Sequence, residues 1–215
     1  MHEKLDQSLV AGLYAVTPDL SDTALLLAKT QAALVGGARL VQYRSKIADG
    51  NLRREQATAL RELCRRRGTP LIINDDVDLA REIDADGVHV GADDAAVAIA
   101  RAQIGGEKII GVSCYNDLPR ALFAAAQGAD YVAFGSFFAS SIKPGAVRAP
   151  LALLQQARQQ IRLPLVAIGG ITLDNASGPI GAGADAVAVI AALFAAPDVE
   201  AAARKFCRLF AVKAA

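Results

Sequence analysis

Eight short apolar runs, separated by longer stretches rich in Ala, Leu and Arg, recur from one end of this chain to the other. The runs are Leu13–Val16, Leu40–Tyr43, Leu71–Asn74, Gly87–Val90, Ile109–Ser113, Tyr131–Gly135, Leu165–Ile168 and Ala186–Val189. Each is continuously apolar rather than alternating, as a strand reads when both of its faces are buried. Such strands belong to parallel sheets covered by helices, and the intervening stretches supply the helices. In Asn51–Arg67, Leu52, Leu60, Leu63 and Cys64 share one face. Arg65, Arg66 and Arg67 stand where a helix C-terminus favours cations, and Gly68 follows as a cap. That basic run reads as a solvated helix end rather than an anion site.

Eight β-then-α units in 215 residues fit a closed (β/α)8 TIM barrel of the α/β class better than an open doubly wound sheet. The first run is not followed by Gly-x-Gly-x-x-Gly, which weakens a dinucleotide-binding reading further. Gly36-Gly37-Ala38, Gln127–Asp130 and Ala182–Asp185 echo one another, each reading as a helix C-cap turning into the next strand. No linker, low-complexity tract or charge block divides the chain. Residues 1–11 read as an N-terminal flank and residues 12–215 as one barrel domain.

Composition removes several function classes. Only 5% of residues are aromatic and none is Trp, which argues against a stacking platform for sugars or single-stranded nucleic acid. Lys plus Arg is 23 against 22 for Asp plus Glu, so no global basic field recruits nucleic acid or an anionic membrane. An anionic ligand must be captured by a local pocket. Cys64, Cys114 and Cys207 form no Cys-x-x-Cys pair and fit free thiols in a reducing cytoplasm. The opening residues lack the apolar core of a signal peptide, and the longest apolar run, Ala186–Ala196, is too short to span a bilayer. The expectation is a soluble cytoplasmic protein acting on small molecules, with a homo-oligomer left open.

In a (β/α)8 barrel the chemistry sits at the C-terminal ends of the strands. That rule selects Gln42–Lys46 after the second run, Asn74-Asp75-Asp76 after the third and Gly91–Asp94 after the fourth. It also selects Ser113, the loop Gly135–Lys143, Gly169-Gly170 and Ile190-Ala191. Histidine is scarce there: His2 lies in the N-terminal tail, and His89, between Val88 and Val90, reads as a satisfied core residue. A Ser-His-Asp hydrolase, a His-ligated metal and a His general base therefore lose their central part.

The acids suggest hard-cation chemistry instead. Mg²⁺ is held by one or two carboxylates plus substrate phosphate oxygens and water. Asp75 and Asp94 could face one ion, yet both precede helical patterns, so a helix N-cap is an equal reading on spacing alone. For Asp76 and Asp93 the cap is favoured. Arg44 and Lys46, two residues apart on an extended exit, would point to the same side and clamp a polyphosphate. Gly169-Gly170, with the helix start after the eighth run, has the form of the usual barrel phosphate site.

These residues together resemble thiamine phosphate synthase over nearly the whole chain. The resemblance rests on QYRSK (Gln42–Lys46), NDDVDLA (Asn74–Ala80), DGVHVG with Asp94 following, GVS (Gly111–Ser113), the loop ending in Lys143, and AIGGI (Ala167–Ile171). It implies a Mg²⁺-assisted transferase joining an aminopyrimidine methyl pyrophosphate to a thiazole phosphate, with release of pyrophosphate. It further implies that Gln42, Tyr43, Arg44, Ser45, Lys46, Asn74, Ser113 and Lys143 match the pyrophosphate-substrate contacts. Asp75 and Asp94 match the Mg²⁺ ligands, and Ser140, Ser141, Ile142, Gly170, Ile190 and Ala191 match the thiazole-phosphate cradle. Arg44, Lys46, Ser113 and Lys143 would carry the chemistry. The family's reaction is usually described as dissociative: pyrophosphate departs, and a neutral thiazole nitrogen without a proton attacks. No general base is then needed. This chain departs from the family at Ala139, Ile142 and Ala191, the last two in place of hydroxyl residues. Two further readings are a related barrel that isomerises a thiazole phosphate and a non-catalytic barrel that binds thiamine precursors. Relatives of the first kind typically lack the pyrophosphate and metal residues, which this chain keeps.

Overall fold

The computed structural model describes residues 10–91, 96–139 and 147–211. Its first half runs β1 (Gly12–Val16), α1 (Thr23–Val35), β2 (Leu40–Tyr43), α2 (Gly50–Arg66), β3 (Leu71–Asn74), α3 (Val77–Glu82), β4 (Gly87–Val90) and α4 (Ala96–Ile104). The second half runs β5 (Ile109–Tyr115), α5 (Leu118–Ala126), β6 (Tyr131–Phe134), α6 (Leu151–Gln160), β7 (Leu165–Ile168), α7 (Ser177–Gly181), β8 (Ala186–Val189), α8 (Ala191–Phe194) and α9 (Val199–Ala211). The strands pair in chain order, all parallel, and β8 returns to β1 to close the barrel. The eight apolar runs are the eight strands. β1 starts one residue early at Gly12, β6 stops one short at Phe134, and β5 continues past Ser113 to Tyr115, with a register shift against β6 between those two residues.

Strand alternation sorts the apolar residues into two cores. Leu13, Val41, Ile73, Val88, Ile110 and Val187 face outward and pack with the helices. Tyr14, Leu40, Ile72, Ile109, Tyr131, Val166 and Ala186 face inward and fill the barrel. A barrel interior filled by side chains is a packed layer, so depth is lost only near the strand exits. Gly111 on β5 is small because a Cβ there would lie 1.9 Å from Cζ of Tyr131.

Four of the first five helix starts are set by acids. The Asp22, Asp49, Asp76 and Asp117 carboxylates accept the Leu25, Leu52, Leu79 and Arg120 amides respectively. The α2 helix ends in Arg65 and Arg66, with Gly68 in the left-handed conformation at φ +62°. The other echoed turns also hold left-handed glycines, Gly37, Gly128 and Gly183.

The aspartates that precede the even strands do more than end a turn. The Asp130 carboxylate accepts the Ile110 amide at 2.7 Å and pairs with Arg101 of α4 at 2.7 Å. Asp86 accepts the Leu71 amide and pairs with Arg61 of α2, and Asp185 accepts the Leu165 amide and pairs with Arg158 of α6. Each brace joins a helix to two strand starts on the face opposite the expected site. Asp130→Ala should lower unfolding stability by about 2–3 kcal/mol, because a charged acceptor for two donors is removed. A chemical denaturation curve checks this, and turnover should be retained.

Candidate active site

At the C-terminal ends of the strands the interior layer opens into a cavity of about 660 Å³. Gln42, His89, Ser113, Gly170 and Ala191 are among its walls. A second cavity of about 670 Å³ adjoins it and is lined by Arg44, Lys46, Asn74 and Asp75. Arg44, Asn74, Ser113 and Tyr115 line both, so the two form one divided mouth.

The cationic side is built on the exit of β2. Buried Thr17, just after β1, holds the Arg44 backbone in both directions: its Oγ1 accepts the amide at 2.9 Å and donates to the carbonyl at 3.1 Å. The Arg44 guanidinium lies 3.6 Å from Asp19. The same carboxylate accepts the Lys46 amide at 2.7 Å. Ser45 Oγ accepts the Ala48 amide at 3.1 Å and so shapes the loop. The Tyr43 ring, by strand alternation, turns outward, and its hydroxyl donates to Gln56 of α2.

At the β3 exit the two adjacent acids part company. Asp76 is the helix cap, as expected, accepting the Leu79 amide at 3.0 Å. Asp75 is not a cap. It stands at φ +63°, with its amide donating to the His89 carbonyl at 2.8 Å. Its exposed carboxylate accepts the Asn74 side-chain amide at 2.7 Å. An Asp in the left-handed region is uncommon and recurs where a side chain must be aimed. Asp93, Asp94, Ser140, Ser141, Ile142 and Lys143 lie outside the described residues.

The opposite side is built on glycines. Gly169 and Gly170 have φ +100° and +64°, and a Cβ on Gly170 would lie 2.3 Å from the Ala139 carbonyl oxygen. The β6 exit thus packs directly on the β7 exit, with the Phe138 amide donating to the Gly169 carbonyl at 3.0 Å. Asn175 fixes the turn by donating to the Gly170 carbonyl at 3.0 Å. Beside it, α8 opens at Ala191 with no side-chain cap on its first amides. Uncapped amides at a helix start attract anions.

Sequence reasoning missed Thr17, Asp19, Tyr14, Tyr131 and Tyr115, and gave His89 too small a part. His89 is buried and its ring nitrogens are bonded, as a core histidine's should be, but one partner is Ser113 at 2.8 Å. Tyr115, at the end of the bulged strand, has φ +52°, and the Arg120 guanidinium stacks over its ring. Within-strand periodicity could have marked Tyr14, His89 and Tyr131 as inward-facing polar residues. Nothing in the sequence marks Asp19 as a partner of Arg44. Burial pushes the Cys64 and Cys114 thiols up to about 12, so neither supplies a thiolate near neutral pH.

A closed barrel whose mouth sets cations and a carboxylate against glycine turns and helix-start amides is the build of an enzyme for small anionic ligands. A family profile described as thiamine monophosphate synthase matches residues 13–193. The chain is 60% identical over 201 residues to a thiamine-phosphate synthase from Methylobacillus flagellatus, covering 94% of this chain and 96% of the relative. Against one from Nitrosospira multiformis it is 57% identical over 94% of this chain and 86% of the relative. A solved thiamine phosphate pyrophosphorylase from Pyrococcus furiosus superposes with TM-score 0.84 at 34% identity, covering 96% and 98% of the two chains. The chain belongs to the thiamine monophosphate synthase family.

Proposed function

We infer that this chain is a transferase that condenses 4-amino-2-methyl-5-(diphosphooxymethyl)pyrimidine with a thiazole phosphate to give thiamine phosphate and pyrophosphate. Its family membership supports this directly. The observation that carries the reading is the divided mouth: a cationic side at the β2 and β3 exits meets a glycine-and-amide side at the β7 and β8 exits. Two differently phosphorylated substrates need two such sides within reach of one reacting centre. Residues 12–215 act as the catalytic unit, and a cytoplasmic setting suits soluble phosphorylated substrates and free thiols.

On the cationic side, Arg44, Lys46 and Lys143 hold the pyrophosphate, and their charges offset the charge that grows on it as the carbon–oxygen bond breaks. Gln42, Ser45, Asn74 and Ser113 orient the same substrate, with Tyr43 supporting the loop from behind. Asp75 and Asp94 are the carboxylates that would hold Mg²⁺. The geometry at Asp75 fits that role, since its carboxylate is spent on no cap and faces the cavity that Arg44 and Lys46 line. When bound, Mg²⁺ would supply charge neutralisation to the departing pyrophosphate. Gly170, Ile190, Ala191 and the 140–142 loop receive the thiazole phosphate.

The decisive experiment mixes purified protein with both substrates and Mg²⁺ and follows thiamine phosphate and pyrophosphate by chromatography. Formation of both in equal amounts supports the reading; return of both substrates unchanged sinks it. The missing hydroxyl at position 191 gives a second test. Ala191→Ser should lower the KM for thiazole phosphate roughly three- to tenfold, since a hydrogen bond to a charged group is worth about 1.5–3 kcal/mol less what water already supplies. The KM for the pyrimidine substrate should not move.

A further inference from the structure

Five polar side chains form an unbroken file across the barrel interior. Gln42 Nε2 lies 2.8 Å from the Tyr14 hydroxyl, which lies 2.8 Å from that of Tyr131. The Tyr131 hydroxyl lies 2.9 Å from His89 Nδ1, and His89 Nε2 lies 2.8 Å from Ser113 Oγ. The file draws on β2, β1, β6, β4 and β5. Its middle is closed to water: Tyr14 and Tyr131 are 1% and 0% exposed. The Tyr131 ring stacks on His89 with centroids 5.6 Å apart and meets Tyr14 edge-on at 6.0 Å. Gly111 leaves the space that Tyr131 occupies. Only the two ends, Gln42 and Ser113, are residues with an assigned substrate role.

Hydrogen counting gives the file a direction. The amide nitrogen of Gln42 can only donate, so the Tyr14 oxygen accepts and its single hydrogen goes to Tyr131. Tyr131 then spends its own hydrogen on His89 Nδ1. A neutral imidazole that accepts at Nδ1 carries its hydrogen at Nε2, and that hydrogen goes to Ser113 Oγ. The Ser113 hydrogen is left to point into the cavity. Burial raises both phenols well above their usual range, so both keep the hydrogens this count requires.

We propose that Gln42, Tyr14, Tyr131, His89 and Ser113 form a one-way hydrogen-bond relay that locks His89 as its Nε2–H tautomer and presents Ser113 as a fixed donor to the substrate. Tyr14, Tyr131 and His89 are positioning residues. Tyr14 and His89 reach the cavity wall, but their part in the file is indirect: with Tyr131 they decide whether the Ser113 oxygen meets an acceptor, such as a phosphate oxygen or a ring nitrogen, with a hydrogen or with a lone pair. The kinetic consequence rests on the transferase reading; the tautomer does not.

The test uses uniformly ¹⁵N-histidine-labelled protein at pH 8, where an ordinary imidazole is neutral. The chain has two histidines, so a His2→Gln variant leaves His89 alone in the spectrum. In the parent protein Nδ1 should resonate as a bare nitrogen and Nε2 as a protonated one. Gln42→Glu replaces the donating end with a pure acceptor and should reverse the file, moving the hydrogen to Nδ1. Tyr131→Phe removes one oxygen and should leave the two tautomers mixed. With both substrates, Tyr131→Phe should lower kcat about tenfold and leave the thiazole phosphate KM unchanged. A parent protein with hydrogen on Nδ1, or a tautomer indifferent to both variants, overturns the relay whatever the turnover shows. A correct tautomer in a protein that makes no thiamine phosphate would overturn the transferase reading and leave the relay standing.

Discussion

Asp75→Asn should cut turnover by about two orders of magnitude and leave thermal stability in place. The exchange isolates charge. Asn tolerates the left-handed backbone that Asp75 adopts at φ +63°, whereas Ala would add strain of its own. It keeps size and one acceptor for the Asn74 amide and loses only the negative oxygen offered to a cation. Losing one preorganised charge-stabilising group commonly costs about 3–4 kcal/mol at the transition state, or roughly 10²–10³ in rate. The neighbouring acid provides the contrast. Asp76→Ala removes the α3 cap and should lower stability by about 1 kcal/mol. Single-turnover rates across a Mg²⁺ series, beside thermal melts, separate the two. An Asp75→Asn protein with parent rate and parent metal dependence would remove Asp75 from the proposed metal site.

Arg44→Ala should be more damaging still, by about 10³-fold in kcat/KM for the pyrimidine substrate. The guanidinium lines both halves of the mouth and neutralises Asp19 at 3.6 Å. Truncation removes a cation and leaves the Asp19 carboxylate, which still accepts the Lys46 amide, without its guanidinium partner beside the β2 exit, so attraction for the pyrophosphate weakens on two counts. The double variant Arg44→Ala with Asp19→Asn should therefore recover roughly tenfold over the single one. Its test is a double-mutant cycle on kcat/KM, read as a coupling between neighbours. Simple additivity would show that Asp19 acts on the loop backbone alone.

The fold was legible because its signal is local. Each strand is a short apolar run, and the starts of α1, α2, α3 and α5 each carry an Asp within their own loop, so neither signal needs knowledge of distant contacts. The exits were legible because strand ends in a barrel share one face. What escaped depends on closure. Tyr14 and Tyr131 touch across 117 residues of sequence, and only the ring of strands makes them neighbours. His89 looked like core because a mid-strand histidine flanked by valines gives no sign of which polar groups stand opposite. Asp19 lies 25 residues from Arg44 on another loop, where its carboxylate reads as surface charge. Spacing favoured Asp76 as the α3 cap but left Asp75 evenly open between cap and ligand; the backbone at Asp75 shows that it is no cap.

The Arg–Asp braces divide the barrel into unequal quarters. Asp86, Asp130 and Asp185 tie β3 to β4, β5 to β6 and β7 to β8, each through a carboxylate that also grips a helix. The corresponding place before β2 holds Arg39 instead of an aspartate, and its amide donates to the Leu13 carbonyl just as the Asp86, Asp130 and Asp185 amides donate to Leu71, Ile110 and Leu165. Cooperative opening follows the boundaries of such units. Native-state amide exchange should thus release protons in strand pairs, each braced pair opening as one. The β1–β2 quarter carries Thr17, Asp19, Arg44 and Lys46. Inorganic pyrophosphate bound there would span the exits of both strands, so it should slow exchange in β1 and β2 together and leave the three aspartate-braced pairs unchanged.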